Sequence, residues 1–184
     1  MRRPLVALLS GFALASAMTP TAVRAWINTE EDLLTGKSNS TLFIDSINNV
    51  SNSIGQPEEA TILIRCKGGK LQDIYVKTPT YNADNRRVKL RWDDGEVKGR
   101  WWEESSSGTA LFAPRPVEFF KKLTTHDRLV WAWNPYQKAE QVVAFNLASE
   151  RDDLNKMVTL CGVTFKPDKP KGSSQSVKSS GRGR

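Results

Sequence analysis

The chain holds only two cysteines, Cys66 and Cys161, and each falls on the apolar side of a local pattern. In Thr61-Ile62-Leu63-Ile64-Arg65-Cys66, strand alternation sets Ile62, Ile64 and Cys66 on one face, with Leu63 and Arg65 on the other. Leu154, Met157, Val158 and Cys161 recur at helical spacing, Ser149 followed by Asp152 reads as an N-cap pattern, and Gly162 ends the run. A strand sulfur and a helix sulfur that both point at apolar surface predict a disulfide between a sheet and a helix docked on it. Closing a loop of about 95 residues stabilises a fold by roughly 4 to 5 kcal/mol in the chain-entropy model. Cysteines paired in this way belong to an exported chain.

The N-terminus points the same way. Arg2 and Arg3 precede an apolar run from Leu5 to Met18, broken only by small residues such as Ser10, Gly11 and Ser16 and closed by Pro20. A permanent bilayer anchor needs roughly 20 strongly apolar residues. The run therefore reads as a signal segment, residues 1–25, cleaved after Ala25. Trp26 rather than cysteine follows the cut, so no lipid anchor is expected, and the mature chain is expected to lack a transmembrane segment. Its expected location is the periplasm or the exterior.

Removing that segment changes the meaning of the charge. The chain has 27 Lys and Arg against 20 Asp and Glu, but Arg2, Arg3 and Arg24 leave with the signal, and residues 166–184 carry six basic residues and one acid. Residues 26–165 are left with 18 basic and 19 acidic side chains. A near-neutral folded part gives no warrant for a nucleic-acid-binding face. Residues 166–184, rich in Gly, Ser, Pro and Lys with one aliphatic side chain, are expected to be a disordered basic tail and a solvated end, with loose contact to a glycan or anionic envelope surface as the alternative.

Residues 26–165 suffice for one core. Residues 60–165 form the expected β-rich domain, with 26–59 as an N-terminal segment packed on it and supplying a first strand over Ser40–Ile47. Lys67-Gly68-Gly69-Lys70 joins strands Ala60–Cys66 and Leu71–Thr78 as a Gly-Gly hairpin. Asp93-Asp94-Gly95-Glu96 joins Arg87–Trp92 to Val97–Glu103, and Asn134-Pro135-Tyr136 lies between Leu129–Trp133 and Gln141–Leu147. Thr109–Phe112 is a short strand leading to Pro116, which suits the first position of a helix with Phe119, Phe120 and Leu123 on its apolar face. The expected fold is mainly β, a small antiparallel sandwich or curved sheet with two short helices and one disulfide.

The order of these features resembles the TagO/VasI family of periplasmic proteins associated with type VI secretion. The resemblance runs from about Ala60 to Cys161. It rests on a strand bearing cysteine, Arg91-Trp92-Asp93-Asp94-Gly95, Trp101 or Trp102, and Ser107-Gly108-Thr109-Ala110-Leu111-Phe112-Ala113-Pro114. It continues through Phe119-Phe120-Lys121-Lys122-Leu123, Asp127-Arg128-Leu129, Asn134-Pro135-Tyr136, Phe145-Asn146-Leu147 and Cys161. Residues 26–52 and the tail depart from it. The resemblance implies an exported β-rich module and supplies no catalytic residues.

The residues themselves offer little chemistry. His126 is the lone histidine, in a polar turn, and with two paired cysteines it cannot make the three or four N/S ligands of a zinc site. Ser105-Ser106-Ser107-Gly108 reads as a turn rather than a nucleophile. Asp93, Asp94 and Glu96, with Glu103 and Glu104 nearby, lack calcium-loop spacing, and turn chemistry accounts for the Asp-Gly pair. Neither an enzyme nor a cofactor or metal is expected.

Six tryptophans are the strongest hint of a binding surface. Trp131 and Trp133 share a strand face with Leu129, and Trp92 shares one with Val88 and Leu90, which makes them core. Adjacent residues in a strand point oppositely, so one of Trp101 and Trp102 joins Val97 inside. The partly exposed one of the pair is expected to be Trp102, beside Lys98 and Arg100, with its being covered by the Ser-Gly loop or the N-terminal segment as the alternative. Aromatic and cationic groups together suit an interface anchor or a sugar-stacking platform. The expected function is a non-catalytic periplasmic interaction module with a protein partner, as an accessory of a type VI-like envelope machine. The alternative is a cell-wall or glycan-binding module.

Overall fold

The computed structural model describes residues 25–82 and 86–165. The expected signal segment, except Ala25, and the expected tail 166–184 lie outside the described residues.

Strand alternation and turn chemistry divide the chain into β1 (Trp26–Asp32), β2 (Lys37–Asp45), β3 (Val50–Ser51), β4 (Pro57–Glu58), β5 (Thr61–Lys67) and β6 (Lys70–Lys77). Then come β7 (Arg87–Trp92), β8 (Lys98–Trp101), β9 (Glu103–Glu104), β10 (Ala110–Phe112), α1 (Pro116–Thr125), β11 (Arg128–Trp133), β12 (Gln141–Asn146) and α2 (Arg151–Leu160). One sheet has six strands in the order β1-β2-β5-β6-β10-β9, a second has four in the order β12-β11-β7-β8, and β3 and β4 form a ribbon. The fold is mainly β and antiparallel, with two helices and one disulfide, as expected.

The inward residues of the six-stranded sheet, among them Leu42, Ile44, Ile62, Ile64, Ile74, Val76 and Leu111, share one core with Val88, Leu129, Trp131, Trp133, Val143 and Phe145 of the other sheet. Phe119, Phe120 and Leu123 of α1 and Leu154 and Met157 of α2 enter the same core. Burying each large apolar side chain is worth about 1.5 to 3 kcal/mol, so one continuous core holds both layers together.

The Gly68-Gly69 turn forms as expected, with positive φ at both glycines. The register then shifts between Arg65 and Cys66. Counting back from the Lys67–Lys70 pair without that shift would set the core residue Ile64 opposite Asp73. The bulge sets it opposite Ile74 instead.

Cys66 is paired across the sheet with Ser40 of β2 and bonded to Cys161, with their Cα atoms 5.3 Å apart. Cys161 is the C-cap of α2, and Gly162 follows at φ +56°. The Val163 amide donates to the Val158 carbonyl and that of Gly162 to Thr159, both at 3.1 Å, the paired closure that glycine permits after a helix. At the other end Glu150, not Ser149, is the N-cap residue. The Ser149 hydroxyl is engaged by the Asn146 carbonyl and the Glu150 carboxylate.

Two expectations change. The expected first strand forms as β2, bonded along β5, but β1 joins it, so residues 26–59 are part of the larger sheet rather than packed on it. The expected strand Val97–Glu103 is two strands in different sheets, β8 and β9, broken at Trp102.

Candidate functional site: the two sides of the edge strand β8

β8 is the outermost strand of the four-stranded sheet, and all four of its residues are exposed. Its shortness and its Lys and Arg discourage strand addition from another chain. Its pairing with β7 sets Trp101 opposite Arg87, Arg100 opposite Val88, and Lys98 opposite Leu90. Directly opposed residues share a face. Trp101 therefore points outward with Arg87, while Lys98 and Arg100 lie on the side of the core residues Val88 and Leu90.

This reverses the expectation for the tryptophan pair. Trp102 is 2% exposed and Trp101 68%. Trp102 does share its side with Lys98 and Arg100, but that side is the inner one. The chain leaves β8 after Trp101, and the Trp102 amide donates to the Arg86 carbonyl at 2.8 Å. Its indole then wedges against Phe119, with centroids 5.2 Å apart, and Trp131, 5.8 Å away. Val97, expected inside, lies in the turn before β8 and is 62% exposed. The register of the Asp93–Glu96 hairpin was the signal that could have settled both positions, because Leu90 and Val88 mark the buried side.

The outer side of the sheet that bears Trp101 also carries an open apolar stretch. Val97, Val130, Ala132 and Val142 line a shallow depression flanked by Lys89, Arg91 and Glu140. Val142 is 48% exposed. Lys89 and Glu140 pair at 2.6 Å, a surface contact of small energetic weight.

Inside β8, a cleft of about 80 Å³ opens between the sheet and α1. Leu90, Trp92, Trp102 and Phe119 make its apolar floor, and Arg100, Arg115, Glu118 and Lys122 its rim. Pro116 occupies the first turn of α1 as expected, and no side chain caps that end. The Lys122 ammonium lies 5.5 Å from the centre of the Trp92 ring. Burial, then the nearby Lys98 and Arg100, hold its pKa below the ordinary lysine value; Glu118 opposes this and Arg115 adds to it. Arg115 and Glu118 pair at 3.1 Å.

The carboxylates of the β7–β8 turn do structural work. Asp93 adopts φ +48°, and its Oδ1 accepts the backbone amides of Asp127 and Arg128, each at 2.9 Å. The Arg128 bond is the main cause that holds its carboxyl below the usual range; desolvation opposes it, and the Asp127 bond, His126 and Arg151 add to it. His126 caps the C-terminus of α1, with its ring 5.0 Å from that of Trp92. Among the described residues no three His, Cys, Asp or Glu side chains converge as metal ligands, and no helix is long and apolar enough to cross a membrane.

Two antiparallel sheets over one core, stapled by one bridge and flanked by two short helices, define a small disulfide-linked β-sandwich. No protein-family model matches the chain, and no curated protein does. Among solved structures it is similar to invasion associated protein b from Bartonella henselae, at 14% identity and a TM-score of 0.50, over 76% of this chain and 94% of that one. At that identity the likeness concerns the fold.

Proposed function

We propose that the chain is an exported, non-catalytic interaction module that meets a protein partner in the cell envelope through the outer face of its four-stranded sheet. The observation that carries this reading is Trp101, 68% exposed, on the side of the sheet that also bears Val142 and Val97. Exposed aromatic rings beside apolar surface are typical interface anchors. Arg87, Lys89 and Arg91 lie on this outer side, which favours an acidic partner. The signal-like segment and the Cys66–Cys161 bridge support an extracytoplasmic location. The resemblance of its motif order to the TagO/VasI family supports the finer form of the reading, an accessory of a type VI-like machine.

The test is recovery of partners from a cross-linked envelope fraction by the full-length chain, processed and oxidised in its own host. Trp101→Ala should melt as the wild type does while recovering at least about tenfold less of the specific partner, the scale of a hot-spot residue. Undiminished recovery would remove Trp101 as the anchor. Fractionation and N-terminal sequencing should find the protein outside the cytoplasm, starting at Trp26.

A further inference from the structure

We propose that the cleft between β8 and α1, on the opposite side of β8 from Trp101, binds a phosphate-type oxyanion carried on a small apolar body. Three cations, Arg100, Arg115 and Lys122, share its rim with a single carboxylate, Glu118, which is already engaged by Arg115. Lys98 stands close enough to act on Lys122 as well. Gathering like charges around one small opening opposes folding. A dianion seated among them would reverse that repulsion.

The Lys122 ammonium lies over the Trp92 ring, and the β7–β8 ladder sets Arg100 on the inner side, opposite Val88. The uncapped start of α1 lies at the same rim and adds its positive helix end. Arginine offers paired donors to phosphate oxygens, and lysine a point charge.

The floor dictates the rest of the ligand. Leu90, Trp92, Trp102 and Phe119 offer apolar contact. A cleft of about 80 Å³ accommodates an oxyanion and a few carbons. Sites for whole drug-sized ligands run to several hundred Å³. A phosphomonoester in solution and a phospholipid headgroup both satisfy this chemistry.

The test uses the full oxidised chain and phenyl phosphate. Intrinsic tryptophan fluorescence should change saturably with a Kd of about 1 mM or tighter, and phenol should leave it unchanged. Arg100→Gln combined with Lys122→Met should weaken binding at least about tenfold without lowering the melting temperature; Lys122→Gln alone substitutes if the double variant melts early. Vesicles of phosphatidic acid in phosphatidylcholine separate the two sources. Co-sedimentation by the wild type, lost in the double variant that keeps the basic tail, identifies a lipid headgroup. Saturation by phenyl phosphate without such co-sedimentation identifies a soluble ligand. Benzoate binding as tightly as phenyl phosphate would overturn the phosphate assignment. No saturable response to either phosphate source, or equal responses in wild type and variant, would overturn the site.

Discussion

The outer faces of the two sheets use their aromatic side chains in opposite ways. On the six-stranded sheet, Trp26, Phe43, Leu63, Tyr75 and Phe112 stand directly opposite one another across five strands. Trp26 and Phe43 stack with centroids 4.8 Å apart and planes within 4°, and Tyr75 and Phe112 also lie 4.8 Å apart. Arg65 sits 4.9 Å over Tyr75 and forms a two-pronged ion pair with Asp73. Rings that face each other do not offer those faces to a sugar, so this row serves sheet cohesion. On the four-stranded sheet, Trp101, Val97 and Val142 point into solvent, and Trp101 has no aromatic neighbour among the ring contacts of the described residues. A surface aromatic is a candidate anchor when no other ring covers its face, not when it is merely near the surface.

The comparison presumes that the two faces belong to one cooperative unit, and the disulfide offers the strongest way to break that premise. Replacing Cys66 and Cys161 together by alanine should cost about 4 to 5 kcal/mol. Fluorescence, dominated by the buried tryptophans of the four-stranded side, and circular dichroism should report one coincident transition. Two separated transitions would mean that the sheets unfold independently. Next in size comes the tryptophan pair at the sheet corner. Trp102→Ala should cost about 3 to 5 kcal/mol through lost burial and a cavity beside Phe119 and Trp131. Trp101→Ala should stay within about 0.5 kcal/mol, and urea melts of the two variants would check the contrast. A smaller effect sharpens the aromatic row: a double-mutant cycle on Tyr75 and Phe112 should return a coupling of about 0.5 to 1.5 kcal/mol. A coupling near zero would move that face toward the class of Trp101.

Much of the framework was legible because it is written in local chemistry. The Gly68-Gly69 turn, Pro116 at the head of α1, Gly162 at the end of α2 and the apolar faces bearing Cys66 and Cys161 each express a steric or burial requirement within a few residues. What stayed hidden depends on partners distant in sequence. β1 is largely exposed and polar, with no apolar alternation, and is a strand because β2 offers it a ladder. The aromatic row exists only after the bulge between Arg65 and Cys66 brings Leu63 opposite Tyr75. Parity along β8 was readable, but the identity of the buried side required the β7 register. The cleft combines β8 with α1, whose neighbourhood no local pattern announces.

The Asp93 clamp gives the smallest effect and bears on how the four-stranded sheet is held at its exposed end. Its carboxylate joins the β7–β8 turn to the amides that begin β11, so it sets β8, and Trp101 with it, relative to the rest of the sheet. Hydrogen bonding holds its folded pKa below the ordinary carboxylate value. A depressed carboxylate contributes stability that is fully present above the unfolded pKa and disappears as pH falls through the folded one. The contribution should therefore be intact above about pH 5 and fade below about pH 4. Asp93→Asn keeps a residue tolerant of positive φ and one acceptor oxygen, but removes the charge. Melting curves of wild type and Asp93→Asn should thus differ modestly at neutral pH and draw together as the pH falls below about 4. A constant gap across that range would show that the charge is not what holds the turn, and would leave the positive backbone angle at Asp93 as the determinant of where β8 presents its two sides.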